Sequence, residues 1–336
     1  MRITLVTETF FPVVDGTTTT VKAVVDRLVD TGHDVQLIAP GPGLTTYRGC
    51  PVARIRPLDK PGGQVRDALA TFRPDLVHVT SPATLGRKAL KHAGRLGTPT
   101  VAVEQSPKLA DVTADRTLVT STWMLGRDAH LWEPGVDAAA FTPALRDTWL
   151  HDRWSRARSL PKPLVVVGYV GSLRNRHDVR RLVELAQVPG IRPVVVGDGP
   201  QRSWLAARLP GAKFTGELST GDLTAVLPSF DLLVHPGERE TCCHALREAA
   251  AAGVPVVAPR SGGAPDVVRH LETGLLYDEA HRHGLRDAVH ALAADRSRAL
   301  LGVRARELAT RSWSEAVDEL VEYHYRPLVA RDATVR

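Results

Sequence analysis

Short apolar runs rich in β-branched residues recur along this chain, each followed by a longer segment whose apolar positions return every three or four residues. Residues 3–6 read as a strand, 18–30 as a helix, and 34–39 as a second strand after a stop at Gly32. Further runs at 76–79, 100–103 and 117–120 are separated by helical patterns such as Thr84–Leu96. Strand and helix taking turns in this way predict a parallel sheet covered by helices on both sides.

The rhythm breaks between residues 145 and 163, a polar stretch rich in arginine and tryptophan that closes on Pro161-Lys162-Pro163. It then restarts, with strand-like runs at 164–170, 194–196, 232–235 and 254–258. The pattern predicts an α/β protein of two Rossmann-like domains facing one another across a cleft. The expected division is 1–143, 144–311, and a terminal helical segment, 312–330, that returns to the first domain. Val317, Leu320 and Val321 would supply its apolar face, and the tail from Arg331 is expected to fray. A length of 336 residues fits two domains of about 150 each.

Composition narrows the class. Hydrophobic residues make up 43% and charged residues 24%, as in ordinary globular proteins. No apolar run approaches the roughly 18 residues of a membrane span, and the opening segment lacks the pattern of a secretory signal. A cytoplasmic location is therefore expected. Three cysteines without metal-ligand spacing argue against a disulfide framework and against zinc. The net charge of +6 suits nucleotide phosphates or peripheral contact with the acidic inner face of a membrane, and equally suits an arginine-rich proteome. Arg87, Lys91 and Arg95 would share one basic helix face, which reads first as a solvated surface, and no nucleic-acid partner is expected.

Chemistry concentrates at four strand-to-loop junctions of the second half, where open α/β sheets bind ligands. Gly171-Ser172-Leu-Arg174-Asn-Arg176-His177 puts cations at a helix start, suited to a diphosphate or to a solvated turn. Gly197-Asp198-Gly199-Pro200 allows close approach of a ligand to the backbone, or is a tight turn. Glu240-Thr241-Cys242-Cys243 runs to Glu248, with a helix expected to start at Thr241 or Cys242 and stop at Gly253. Glu240 would then sit in the mouth and Glu248 two turns along, a pair able to hold hydroxyls at two places on a nucleotide sugar. A solvated helix face is the plain alternative. Arg260-Ser-Gly262-Gly263 is a further glycine loop. The chain has no Asp-x-Asp pair, His-Glu-x-x-His, Walker loop or Gly-x-Ser-x-Gly elbow, and no Gly-x-Gly-x-x-Gly follows its first strand.

In this order the segments resemble the GT-B glycosyltransferases of family 4, and among them the actinobacterial GDP-mannose-dependent α-mannosyltransferases. The resemblance runs from Thr7-Glu-Thr-Phe-Phe-Pro and Asp15-Gly16 through His78-Val-Thr-Ser-Pro82, Gly135-Val-Asp137, Gly168-Tyr-Val-Gly171 and Val196-Gly-Asp-Gly-Pro200. It continues through His235-Pro-Gly237, Glu240-Thr241 and Gly253-Val-Pro to Thr273-Gly-Leu-Leu276. It implies transfer of a hexose from a nucleoside-diphosphate sugar with retention of configuration, no strictly required metal, and electrostatic stabilisation of the leaving diphosphate. By position, Glu240 is implied to bond the donor hexose and Glu248 the ribose. Thr241, Cys242 and Cys243 would face the donor through their backbone, and Gly16 would admit the first domain's loop. Gln105 is implied on the acceptor side.

Two departures stand out. The family carries Arg and Lys where this chain has Ser172 and His177, which leaves Arg174, Arg176 and His177 as candidates to meet the diphosphate. A helical hairpin that normally follows the segment ending at Pro107 is missing, so the acceptor (small molecule, lipid or glycan) stays open. A UDP-sugar donor and a binding protein without turnover are the alternatives.

Overall fold

The structure, a computed structural model, describes residues 1–106, 113–126, 128–309 and 311–335. The chain forms two compact units, Met1–Gly135 with Trp313–Arg336, and Val136–Ser312. The Pro107 end of the shortened segment and the residues just after it lie outside the described residues.

The first unit is built on β1 (Arg2–Thr7), β2 (Asp34–Pro40), β3 (Thr46–Tyr47), β4 (Cys50–Ile55), β5 (Leu76–Thr80), β6 (Thr100–Glu104), β7 (Arg116–Val119) and β8 (Ala129–Leu131). They form one sheet in the order β3-β4-β2-β1-β5-β6-β7-β8, parallel except where β3 meets β4. Its helices are α1 (Gly16–Asp30), α2 (Pro61–Phe72) and α3 (Thr84–Leu96). Helix α1 starts where the Asp15 carboxylate accepts the N–H of Thr18, and it buries Val21, Val24, Val25 and Leu28 on the sheet. Helix α3 lies so close to β5 that a Cβ on Gly86 would come within 2.5 Å of Val79. One Glu8 oxygen accepts the N–H groups of Ala83, Leu85 and Gly86. That helix end, an anion site by nature, is occupied by the protein's own carboxylate.

Residues from Trp313 complete this core: an α-helix (Trp313–Glu319), a π-helical turn (Leu320–Tyr325) and a final α-helix (Arg326–Val335). Ala316, Val317, Leu320, Val321, Tyr325 and Leu328 are buried against the first sheet's core. The Trp132 indole N–H donates to the Ala316 carbonyl at 2.8 Å. The Tyr325 hydroxyl lies 2.5 Å from His78 Nδ1, and His78 Nε2 lies 3.0 Å from Thr80 Oγ1. Burial pushes His78 down to about 3, so this imidazole is neutral. The tail expected to fray from Arg331 instead continues as helix to Val335.

The second unit begins earlier than Pro143. Val136 and Phe141 belong to its core, the Val136 N–H donates to Arg311 O, and Arg306 donates to Phe141 O. The arginine- and tryptophan-rich stretch contains helix α4 (Thr148–Ser155), capped by Asp147 and anchored by Trp154 stacked on Phe230 at 5.7 Å. Strands β9 (Val165–Val170), β10 (Ile191–Val196), β11 (Lys213–Gly216), β12 (Leu232–Val234), β13 (Val256–Pro259) and β14 (Gly274–Tyr277) pair in the order β11-β10-β9-β12-β13-β14, all parallel. Around them lie α5 (Arg202–Arg208), α6 (Thr220–Val226), α7 (His244–Ala251), α8 (Ala264–Val267), α9 (Gly284–Ala294) and α10 (Arg298–Leu308). This order is that of a Rossmann sheet, whose direction of winding reverses between β9 and β12. A crevice for ligand opens beyond the carboxyl ends of strands at such a point.

Candidate active site

Two loops leave the sheet at that reversal. After β9 the chain passes Gly171 (φ +153°), where a Cβ would lie 2.9 Å from the Tyr169 hydroxyl, to Ser172, whose carbonyl accepts from that hydroxyl at 3.2 Å. Arg174 and Arg176 follow, both exposed, and a single 3-10 turn, Asn175–His177. Asp178 is left-handed (φ 51°), and the helix expected after this loop, Val179–Gln187, is 3-10.

The loop after β10 is laced to this one through the backbone. Gly171 N–H donates to Val196 O, Leu173 N–H to Asp198 O, and Gln201 N–H to Leu173 O. A Cβ on Gly197 would fall 2.0 Å from Gly171 O, and one on Gly199 2.7 Å from Leu173 O. Both glycines thus seat one loop on the other. The Asp198 carboxylate accepts from Gly199 N–H at 2.7 Å and from Arg202 at 2.5 Å.

The loop after β12 carries His235, Gly237, Glu238 and Glu240. Its helix starts later than expected: Cys243 is left-handed (φ 52°), a conformation that cannot propagate an α-helix, so α7 begins at His244. Glu248 therefore lies just over one turn into the helix, not two. Thr241, Cys242 and Cys243, at the end of this loop, are buried, and burial raises the Cys243 thiol well above its usual range.

Glu240 is the centre of the arrangement. His177 Nδ1 lies 2.6 Å from its Oε1, and His235 Nε2 stands 3.5 Å from the same oxygen, within ion-pair distance but without hydrogen-bond geometry. Burial alone would raise this carboxyl; the His177 hydrogen bond and the nearby His235 imidazole outweigh it and hold Glu240 well below the usual carboxylate range. The backbone around it is fixed from several directions. Asp178 accepts the Glu238 N–H at 3.0 Å, Arg181 donates to the Glu238 carboxylate at 3.2 Å, and Gly263 N–H donates to Glu240 O at 2.8 Å. A side chain at Gly237 would crowd both Glu240 and His235 at 3.0 Å.

Glu248 differs in its partners and in the direction of its shift. It is half-buried, its carboxyl has no hydrogen-bond partner among the described residues, and burial pushes it up to about 7. Arg174 likewise has no ion-pair partner among the described residues, and Arg176 uses its Nε–H on His177 Nε2 at 3.1 Å. Gly16 and Gln105 belong to the first unit. Gly16 opens α1, and Gln105, just beyond β6, donates from Nε2 to Thr20 Oγ1 at 2.9 Å.

Two residues of this site appear in the sequence motifs without a role. His235 is buried with neither ring nitrogen hydrogen-bonded among the described residues, and the buried Ser261 hydroxyl is also without a partner. Unsatisfied buried polar groups are costly and uncommon, and two beside one another's loops suit a bound polar molecule. A lone histidine ending an apolar run gives little sign of this in sequence. Among the described residues no cluster of His, Cys, Asp and Glu could hold a metal, and no helix is long and apolar enough to cross a membrane.

Comparison with known proteins decides the family. Residues 14–133 match the model described as Glycosyltransferase Family 4, and residues 151–308 that described as Glycosyl transferases group 1. A GDP-mannose-dependent alpha-mannosyltransferase of Mycolicibacterium smegmatis is 37% identical over 98% of both chains. The chain belongs to the family 4 glycosyltransferases. A GDP-mannose-dependent alpha-mannosyltransferase of Corynebacterium glutamicum is 30% identical over 98% of this chain and 90% of its own. Among solved structures, Anabaena HepE in complex with UDP matches with a TM-score of 0.78 at 18% identity, covering 96% of this chain and 99% of that one. The two parallel-sheet units are those of the GT-B fold, and as a member of this family the chain is a hexosyltransferase acting on a nucleotide sugar.

Proposed function

We propose that this family 4 glycosyltransferase moves a mannosyl group from GDP-mannose to an acceptor hydroxyl with retention of configuration and without a metal cofactor. The observation that carries the reading is Glu240. It is a carboxylate kept ionised at the sheet's reversal point, beside a buried histidine whose ring nitrogens have no hydrogen-bond partner among the described residues. Such a group accepts strong hydrogen bonds from sugar hydroxyls. The mannose choice follows the two relatives named above, which are GDP-mannose-dependent.

In this reading Glu240 orients the hexose while Glu248, a carboxyl with no protein partner among the described residues, takes the ribose hydroxyls. Arg174 and Arg176, exposed on the neighbouring loop, meet the charge that builds on the leaving diphosphate, together with the backbone from Thr241 to Cys243. The acceptor hydroxyl attacks from the face the diphosphate leaves, and the protein contributes positioning and electrostatics rather than a nucleophile.

Calorimetry with GDP-mannose and with UDP-sugars, followed by assay of GDP release over a panel of lipid, glycan and small-molecule alcohols, tests this. Preferential binding of GDP-mannose and an α-linked product by proton NMR are expected. Tighter binding of a UDP-sugar overturns the donor, an inverted product overturns the stereochemistry, and binding without GDP release on any acceptor class points to a protein that holds the sugar without turning it over.

A further inference from the structure

His177 and Asp178 are neighbours that grip the same loop at two points, His177 on the Glu240 carboxylate at 2.6 Å and Asp178 on the Glu238 N–H at 3.0 Å. His177 is gripped in turn, because Arg176 Nε–H donates to its Nε2 at 3.1 Å. An arginine can only donate. The Nε2 atom therefore carries the lone pair, and the ring proton lies on Nδ1, pointed at Glu240. The Arg176–His177–Glu240 chain thus runs donor to acceptor throughout, with an imidazole whose tautomer is set by the arginine behind it, as second partners set ligand histidines elsewhere. Both nitrogens are committed inside the protein, so neither is left to bind an anion.

We propose that His177 is a positioning residue for Glu240 and not a cation for the leaving diphosphate: it fixes the carboxylate that receives the donor sugar, while the charge of the loop comes from its arginines. The proposal rests on the reading of Glu240 as the hexose contact. Its structural basis is local. The single 3-10 turn Asn175–His177 and the left-handed Asp178 turn the His177 side chain toward the Glu240 loop while Arg174 and Arg176 remain exposed. A cation at position 177 would have to leave Glu240 to reach a phosphate.

The test compares GDP with GDP-mannose as calorimetric ligands, because their difference isolates the sugar and can be read in inactive variants. His177→Ala should leave GDP affinity within about twofold and reduce the extra affinity for GDP-mannose, and kcat with it, by about 10- to 100-fold, the range of one hydrogen bond to a charged group. His177→Asn, whose amide N–H can occupy the place of Nδ1–H, should recover most of that loss; a purely structural role would show in melting temperature and not follow this pattern. In a Glu240→Gln background, His177→Ala should be silent. Weaker GDP binding in His177→Ala that His177→Lys repairs and His177→Asn does not would overturn the proposal, as would an undiminished His177→Ala effect in the Glu240→Gln background. If Glu240→Gln alone leaves the sugar increment and kcat intact, it is the underlying reading of Glu240 that fails.

Discussion

Glu240 and Glu248 belong to one loop-and-helix segment, yet their surroundings drive their acidities in opposite directions. Glu240 is held well below the usual carboxylate range by His177 and His235 against the effect of burial, whereas Glu248, with burial and no partner among the described residues, is pushed up to about 7. The difference has a consequence for stability. Between the solvated value of 4.5 and about 7, the folded protein keeps a proton on Glu248 that the unfolded chain has released. Stability must then fall as pH rises through that window. The half-buried position limits the effect to about 1–2 kcal/mol. Urea unfolding from pH 5 to 7.5 should show a steeper decline for the wild type than for Glu248→Gln, and identical slopes would mean that Glu248 is solvated.

The same two residues should separate in binding and turnover. Glu248→Ala should weaken GDP by about 3- to 10-fold through loss of a hydrogen-bond partner for the ribose, with kcat at saturating donor nearly unchanged. Glu240→Gln should do the reverse, keeping GDP affinity and abolishing transfer. Calorimetry with GDP and initial rates at saturating GDP-mannose distinguish them, and wild-type turnover in Glu240→Gln would remove the site assignment.

Arg174 and Arg176 are the exposed cations of the loop that carries Ser172 and His177. Replacing both with Ala should lower kcat by about 10²- to 10⁴-fold, two charge-assisted hydrogen bonds at roughly 1.5–3 kcal/mol each. Unchanged single-turnover kinetics in the double variant would assign the diphosphate to other groups.

Gly197 offers a sterically unambiguous test of the loop pair. A methyl group there meets Gly171 O at 2.0 Å, and the residue's φ of +128° is itself strained for any side chain. Gly197→Ala should cost about 1–3 kcal/mol and move the β9 loop, weakening GDP binding as well as lowering the melting temperature. Thermal melts with and without GDP read both effects; an unshifted melting temperature would show that the loops are not packed this tightly.

In the first unit, the Tyr325 hydroxyl and neutral His78 satisfy one another in a fully buried layer. Tyr325→Phe leaves the His78 nitrogen without a partner, and about 1–3 kcal/mol of stability should be lost. Chemical denaturation measures it, and a neutral result would mean that water replaces the hydroxyl.

Much of this architecture can be read from the chain because central parallel strands are buried on both faces and mostly apolar. The runs at 3–6, 76–79 and 194–196 all fall inside observed strands. Edge elements are harder. β4 mixes buried, half-buried and exposed positions, β11 is largely half-exposed, and α4 hides in a polar stretch in which only Trp154 and Ser155 are buried. The acidic pair and the basic loop stood out as residue types at a strand end. What joins them did not, since the left-handed turns at Asp178 and Cys243 set both the aim of His177 and the start of α7, and neither residue is a glycine that would announce such a turn. The role of His235 was not legible for a related reason: whether a buried histidine is satisfied depends on neighbours that come from elsewhere in the chain.

The first unit is discontinuous, closed only by Trp313 and the residues after it. During synthesis, β1 to β8 emerge first but lack the layer that covers Trp132 and supplies the partner of His78. The second unit, one unbroken stretch from Val136 to Ser312, is the first whose whole sequence becomes available. The order in which the units can mature on the ribosome is thus the reverse of their order in the gene, and the earliest part of the chain must wait for the latest.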